Sequence, residues 1–117
     1  MHDSSFTSLT TLRVGGTPAA AVTCESAEDL AETVARLDAE GAPLLVVGGG
    51  SNLVVADGPL ELTAVLVRNE GISLVDASTL RIAAGTPWDD VVAFAVEHGL
   101  GGIEALSGIP GSAGATP

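Results

Sequence analysis

The apolar and polar positions of this 117-residue chain change rhythm several times, and each change marks an element. Leu30, Val34 and Leu37 fall at i, i+4 and i+7, one apolar stripe that predicts a helix. Ser26 stands ready as its N-cap, Glu28 and Asp29 occupy the first turn, and Gly41 supplies the stop. A short strand is expected just before it, at Ala20 to Cys24, after the turn signals Gly15, Gly16 and Pro18. Leu44 to Val47 is a continuous apolar run, half β-branched, and reads as a buried strand. Leu53 to Ala56 is a brief apolar run closed by the turn signal Asp57-Gly58-Pro59. Thr63 to Val67, Gly71 to Asp76 and Leu80 to Ala84 read as three strands of a small β-meander, although their alternation is imperfect. A second helix starts at Thr86-Pro87-Trp88-Asp89, with Thr86 as N-cap, Pro87 at the first helical position and Asp89 as the capping-box acid. Trp88, Val92 and Ala95 or Val96 share a face, and Gly99 ends the helix. Trp88 is read as a core anchor and His98 as a helix-end cation or cap. Residues 1–10 are polar and read as extended or poorly ordered.

Two stretches carry candidate chemistry. The strand at Leu44 to Val47 runs into Gly48-Gly49-Gly50-Ser51-Asn52-Leu53, a loop with almost no side chains, whose N–H groups can converge on a phosphate or pyrophosphate. A tight glycine turn with no ligand explains the same residues. Ser107 to Gly114 is a second small, uncharged, backbone-rich loop, suited to lying against a flat or anionic ligand or to a flexible tail. Two known phosphate motifs fail in detail. Gly48 and Gly50 lack the third glycine of a dinucleotide fingerprint, and no lysine exists to complete a Walker loop.

Composition narrows the partners. Four arginines, no lysine and fifteen acidic residues give a net charge of -11, which opposes nucleic acid and anionic membrane. Arg13, Arg36, Arg68 and Arg81 are the only fixed cations, so an anionic ligand has to be held mainly by backbone amides. Arg13 is read either as a solvated surface charge or as a functional cation. Cys24 is alone, so no disulfide framework exists; it is read as a small buried hydrophobe in a reducing cytoplasm. The N-terminus has no signal-peptide pattern, and the longest uncharged interior stretch, Gly41 to Ala56, is too short to span a bilayer. The apolar, glycine-rich end after Glu104 reads as that of an incomplete polypeptide.

Four blocks together resemble a known family. Thr11-Leu12-Arg13-Val14-Gly15-Gly16, Val46 to Leu53, Ala84-Gly85-Thr86-Pro87-Trp88 and Gly102 to Ser112 closely resemble, in the family's order, the UDP-N-acetylenolpyruvoylglucosamine reductase (MurB) family. The resemblance implies an α+β FAD-binding domain of the PCMH or vanillyl-alcohol-oxidase type, C-terminally truncated. Two small subdomains are expected, about 11–60 and an incomplete 61–117, after a flexible 1–10, with the substrate domain absent from this chain. By position, Gly48, Gly49, Gly50, Ser51, Asn52 and Leu53 form one wall of the FAD site. Ser107, Ile109, Pro110, Gly111, Ser112, Gly114 and Ala115 form the other, with Arg13 as a contact or brace near the flavin. Ala113 stands where the family has a larger aliphatic residue. The implied reaction is NADPH-dependent reduction of UDP-N-acetylglucosamine enolpyruvate to UDP-N-acetylmuramate, for cell-wall synthesis. The family's catalytic serine, arginine and glutamate lie C-terminal to Pro117, so no catalytic residue is assigned here. A stand-alone flavin or nucleotide module, or another oxidoreductase with the same FAD domain, is the competing reading.

Overall fold

The structure, a computed structural model, describes residues 5–9, 15–50 and 56–116. In chain order these form α1 (Phe6–Leu9), β1 (Thr17–Cys24), α2 (Ala27–Ala39), β2 (Leu44–Val47), β3 (Pro59–Val67), β4 (Ile72–Asp76), β5 (Thr79–Ile82) and α3 (Trp88–Glu97), then two 3-10 turns at Glu104–Leu106 and Ala113–Ala115. The sheet order β1-β3-β2 is wholly parallel, with β3 in the middle, and β4 and β5 pair separately as an antiparallel hairpin.

The central strand explains the core. Side chains alternate across a strand, so β3 sends Leu60, Leu62, Ala64 and Leu66 to one face and Val65 to the other. The first face packs with Phe6, Leu9, Leu45 and Val47; the second packs with Cys24, Leu30, Val34, Leu37 and Leu44 of β1, α2 and β2. Phe6, Val47, Val65 and Cys24 are fully buried, each large aliphatic or aromatic burial being worth about 1.5–3 kcal/mol. The free thiol of Cys24 is thus a buried hydrophobe, as its isolation in the chain implies.

The pattern of β3 also corrects the meander. A strand covered on both faces reads as a continuous apolar run, which is why alternation failed there. It pairs with the distant β1 and β2, leaving only β4 and β5 to pair with each other. The N-terminal stretch differs as well: Phe6 begins a helical turn and enters the core, a contribution that one aromatic among serines and threonines does not announce.

Helix α2 matches its signals. The Ser26 side chain accepts from the Asp29 amide at 3.0 Å. Gly41, at φ +66°, closes the helix while the Gly41 and Ala42 amides bond back to the Asp38 and Leu37 carbonyls. Helix α3 starts differently. Pro87 occupies the cap position with no side-chain cap bond, because the Thr86 hydroxyl bonds both the amide and carbonyl of Gly71, and Asp89 accepts from the Gly108 amide at 2.8 Å. Tertiary bonds have taken both members of the expected capping box. Val91, Val92 and Ala95 form the buried face of α3 while Val96 is exposed. Trp88 is half-buried, and its indole N–H donates to the Leu106 carbonyl at 3.0 Å, so it braces the following loop more than it fills the core. His98 caps α3 and stacks on Phe94, with centroids 4.0 Å apart.

Candidate functional site

Both glycine loops meet at the C-terminal end of the parallel sheet, where β2 and β3 finish. In open α/β sheets that end is where ligands are received. Gly48 and Gly49 face Gly111 and Ser112 across a cleft of about 340 Å³, whose floor is Val67, Arg68 and Gly85. A neighbouring hollow of about 310 Å³ shares Gly48, Val67 and Ser112 and adds Leu30, Gly114 and Ala115. Among the described site residues, Gly48, Gly49, Gly111, Ser112, Gly114 and Ala115 are therefore brought together. Ser107, Ile109 and Pro110 line neither hollow, and Gly50 is buried behind the loop at φ +75°. Ser51, Asn52, Leu53 and Arg13 lie outside the described residues.

The two walls approach closely, Gly48 against the Ser112 side chain and Gly49 against the Gly111 backbone. A Cβ on Gly48 would sit 2.8 Å from Ser112 Oγ, and one on Gly49 would sit 3.3 Å from Gly111 Cα. A side chain at either position would press into the facing loop, so glycine allows this close approach.

The two walls offer different chemistry. On the second, the amides of Ala113 and Gly114 donate to the carbonyls of Thr86 and Ala84, and that of Ala115 to Ser112. The Ala113 and Gly114 donors stitch the loop to the 84–86 turn, the Ala115 donor closes a turn within the loop, and the Trp88 amide donates to the Gly111 carbonyl. The amides of Ala113, Gly114 and Ala115 are therefore engaged within the protein. The 84–86 turn is itself anchored: buried Asn69 accepts from the Gly85 amide at 3.1 Å.

Sequence reasoning named Arg68 only as one of four cations, yet it holds the first wall. Its Nη1 donates to the carbonyls of Gly48 and Val67, each at 2.9 Å, and reaches that of Val47 at 3.5 Å. Glu70 lines the same cleft. Among the described residues, no group of three His, Cys, Asp or Glu side chains gathers to hold a metal, and no helix is long and apolar enough to cross a membrane. The two carboxylates held below the ordinary range lie elsewhere: Asp76 accepts from the Ser78 amide in the β4–β5 turn, and Glu104 from its own amide and that of Gly102.

Residues 18–117 match the FAD binding domain family. The chain belongs to that family. It is 57% identical over 114 residues to a UDP-N-acetylenolpyruvoylglucosamine reductase of Corynebacterium diphtheriae, covering 97% of this chain and 30% of that protein. A protein of the same name from Mycobacterium avium is 55% identical, covering 93% and 30%. Among solved structures it is similar to UDP-N-acetylenolpyruvylglucosamine reductase (MurB) from Thermus caldophilus, with a TM-score of 0.65, 32% identity, and 92% of this chain and 37% of that one covered. The chain thus spans about 30% of the length of the curated relatives it matches. The α+β, FAD-binding fold class expected from the four motif blocks holds.

Proposed function

We propose that this domain holds FAD in the cleft between the two glycine loops, within a reductase acting on UDP-N-acetylglucosamine enolpyruvate. The observation that carries the reading is the juxtaposition of Gly48–Gly49 with Gly111–Ser112 along a cleft of about 340 Å³, where a Cβ on either glycine of the first loop would crowd the second. It suits the cofactor chemically. A diphosphate needs donors more than net charge, and the glycine wall supplies main-chain N–H groups in a protein of net charge -11. Ser112, Gly114 and Ala115 offer the second wall as a packing surface, and Ser51, Asn52 and Leu53 extend the first by resemblance, with Arg13 beside the flavin. FAD, when bound, supplies hydride transfer between a nicotinamide and the substrate. The residues described here bind and orient it; no residue of the chain is assigned as acid or base.

The names of the relatives, over 93–97% of this chain, support reduction of UDP-N-acetylenolpyruvoylglucosamine; NADPH as reductant, UDP-N-acetylmuramate as product and a cytoplasmic step of cell-wall synthesis are what the resemblance of the four motif blocks implies. Because β3 lies between β1 and β2, we place the division between subdomains after β3, near 68, instead of near 60. The test uses the complete protein. Purified protein should carry flavin and oxidise NADPH when given the enolpyruvyl substrate, forming UDP-N-acetylmuramate. Flavin binding without that turnover would point to another oxidoreductase built on the same domain, and absence of flavin binding would overturn the reading.

A further inference from the structure

The strongest unassigned feature is a cation whose hydrogen bonds go to carbonyls rather than to carboxylates. An arginine in a chain with fifteen acidic residues has abundant partners for ion pairing, yet Arg68 Nη1 turns inward to Gly48 O and Val67 O at 2.9 Å and to Val47 O at 3.5 Å. The two short bonds use both hydrogens of that nitrogen, and the third lies at the edge of hydrogen-bond reach.

Those carbonyls matter because of the peptides they belong to. A trans peptide carries its C=O and N–H on opposite sides, so fixing one end aims the other. Gly48 O belongs to the peptide whose N–H is that of Gly49, and Val47 O to the peptide whose N–H is that of Gly48. Glycines have the widest choice of orientation, so without a hold these two peptides would rotate among several. The guanidinium also polarises the peptides it binds, which strengthens their N–H groups as donors.

We propose that Arg68 is the positioning residue of the first glycine wall: it locks the Gly48–Gly49 peptide and thereby aims the donors that bind a diphosphate. The assignment rests on the FAD reading. Its charge is not taken as the main contribution, since an opposite charge, Glu70, lines the same cleft. All three bonds come from one nitrogen, so what lysine lacks is the rigid guanidinium plane that fixes where that nitrogen sits, and it does not replace arginine.

The complete protein carrying Arg68→Lys or Arg68→Gln tests this against two flavins, FAD and riboflavin, the second lacking the diphosphate. Titration followed by flavin fluorescence gives the ratio of the two affinities. Both variants should lower that ratio on the order of tenfold, because the bonds that fix the Gly48 and Val67 carbonyls are lost or displaced while the ring surface is kept. Arg68→Lys binding FAD as tightly as the wild type would show that charge alone suffices and overturn the assignment. Equal weakening of both flavins would also overturn it, since that is general damage to the cleft. A wild-type protein that takes neither flavin would overturn the FAD reading itself, and this assignment with it.

Discussion

Gly85→Ala isolates the packing that holds the second wall in place. An added Cβ would lie 2.6 Å from Asn69 O, 2.9 Å from Asn69 N and 3.0 Å from Val67 O. All three are backbone atoms at the end of the central strand, so no side chain can swing away to relieve them. Overpacking of this kind costs about 1–3 kcal/mol. The displacement also breaks the part-buried bond from the Gly85 amide to Asn69 Oδ1, worth about 1 kcal/mol. Together the loss is about 2–4 kcal/mol, a large fraction of the stability of a small domain. Gly101→Ala is the control, because a Cβ there meets nothing within 4 Å. Urea unfolding of the two variants beside the wild type, at constant slope, reads the difference directly. The 84–86 turn carries the Ala113 and Gly114 bonds, so FAD affinity should fall with the same substitution. If Gly85→Ala matched Gly101→Ala within about 0.5 kcal/mol, the claim that this turn is held by close backbone approach would be wrong.

Three further outcomes follow from single contacts. Ser26→Ala should cost about 1 kcal/mol in urea unfolding, because it removes the acceptor of the Asp29 amide at the start of α2. Cys24→Ser should cost about 1–3 kcal/mol by burying a hydroxyl beside Val65 and Leu37, and the native thiol should react with a soluble disulfide reagent only as fast as the protein opens. Glu104 tests the electrostatics: amide bonds hold its carboxyl below the ordinary value, so its contribution is present above that value and is lost as pH falls through the folded one. Stability of the wild type should therefore exceed that of Glu104→Gln at neutral pH, and the gap should close in acid.

Local signals carried much of this fold and long-range ones did not. Ser26 and Gly41 bracket α2 because a cap and a left-handed stop act within a few residues. The glycine-rich runs stood out for the same reason, and the structure sets Gly48 and Gly49 beside Gly111 and Ser112. Thr86 and Asp89 misled because their side chains bond Gly71 and Gly108, 15 and 19 residues away. The meander failed because the partners of β3 lie before it in the chain, in β1 and β2. Arg68 was invisible as a brace, since the Gly48 carbonyl it holds is 20 residues distant and a carbonyl has no sequence signature. Adjacent residues 68 and 69 in fact grip opposite walls, Arg68 the first and Asn69 the turn behind the second.

Amide hydrogen exchange on the complete protein, with and without FAD, tests the central claim most directly. If the cleft between the glycine loops holds the cofactor, FAD should slow exchange in peptides covering 47–50 and 110–112, with little change along the exposed β4–β5 hairpin. FAD binding that leaves 47–50 and 110–112 exchanging at their free rate would contradict it.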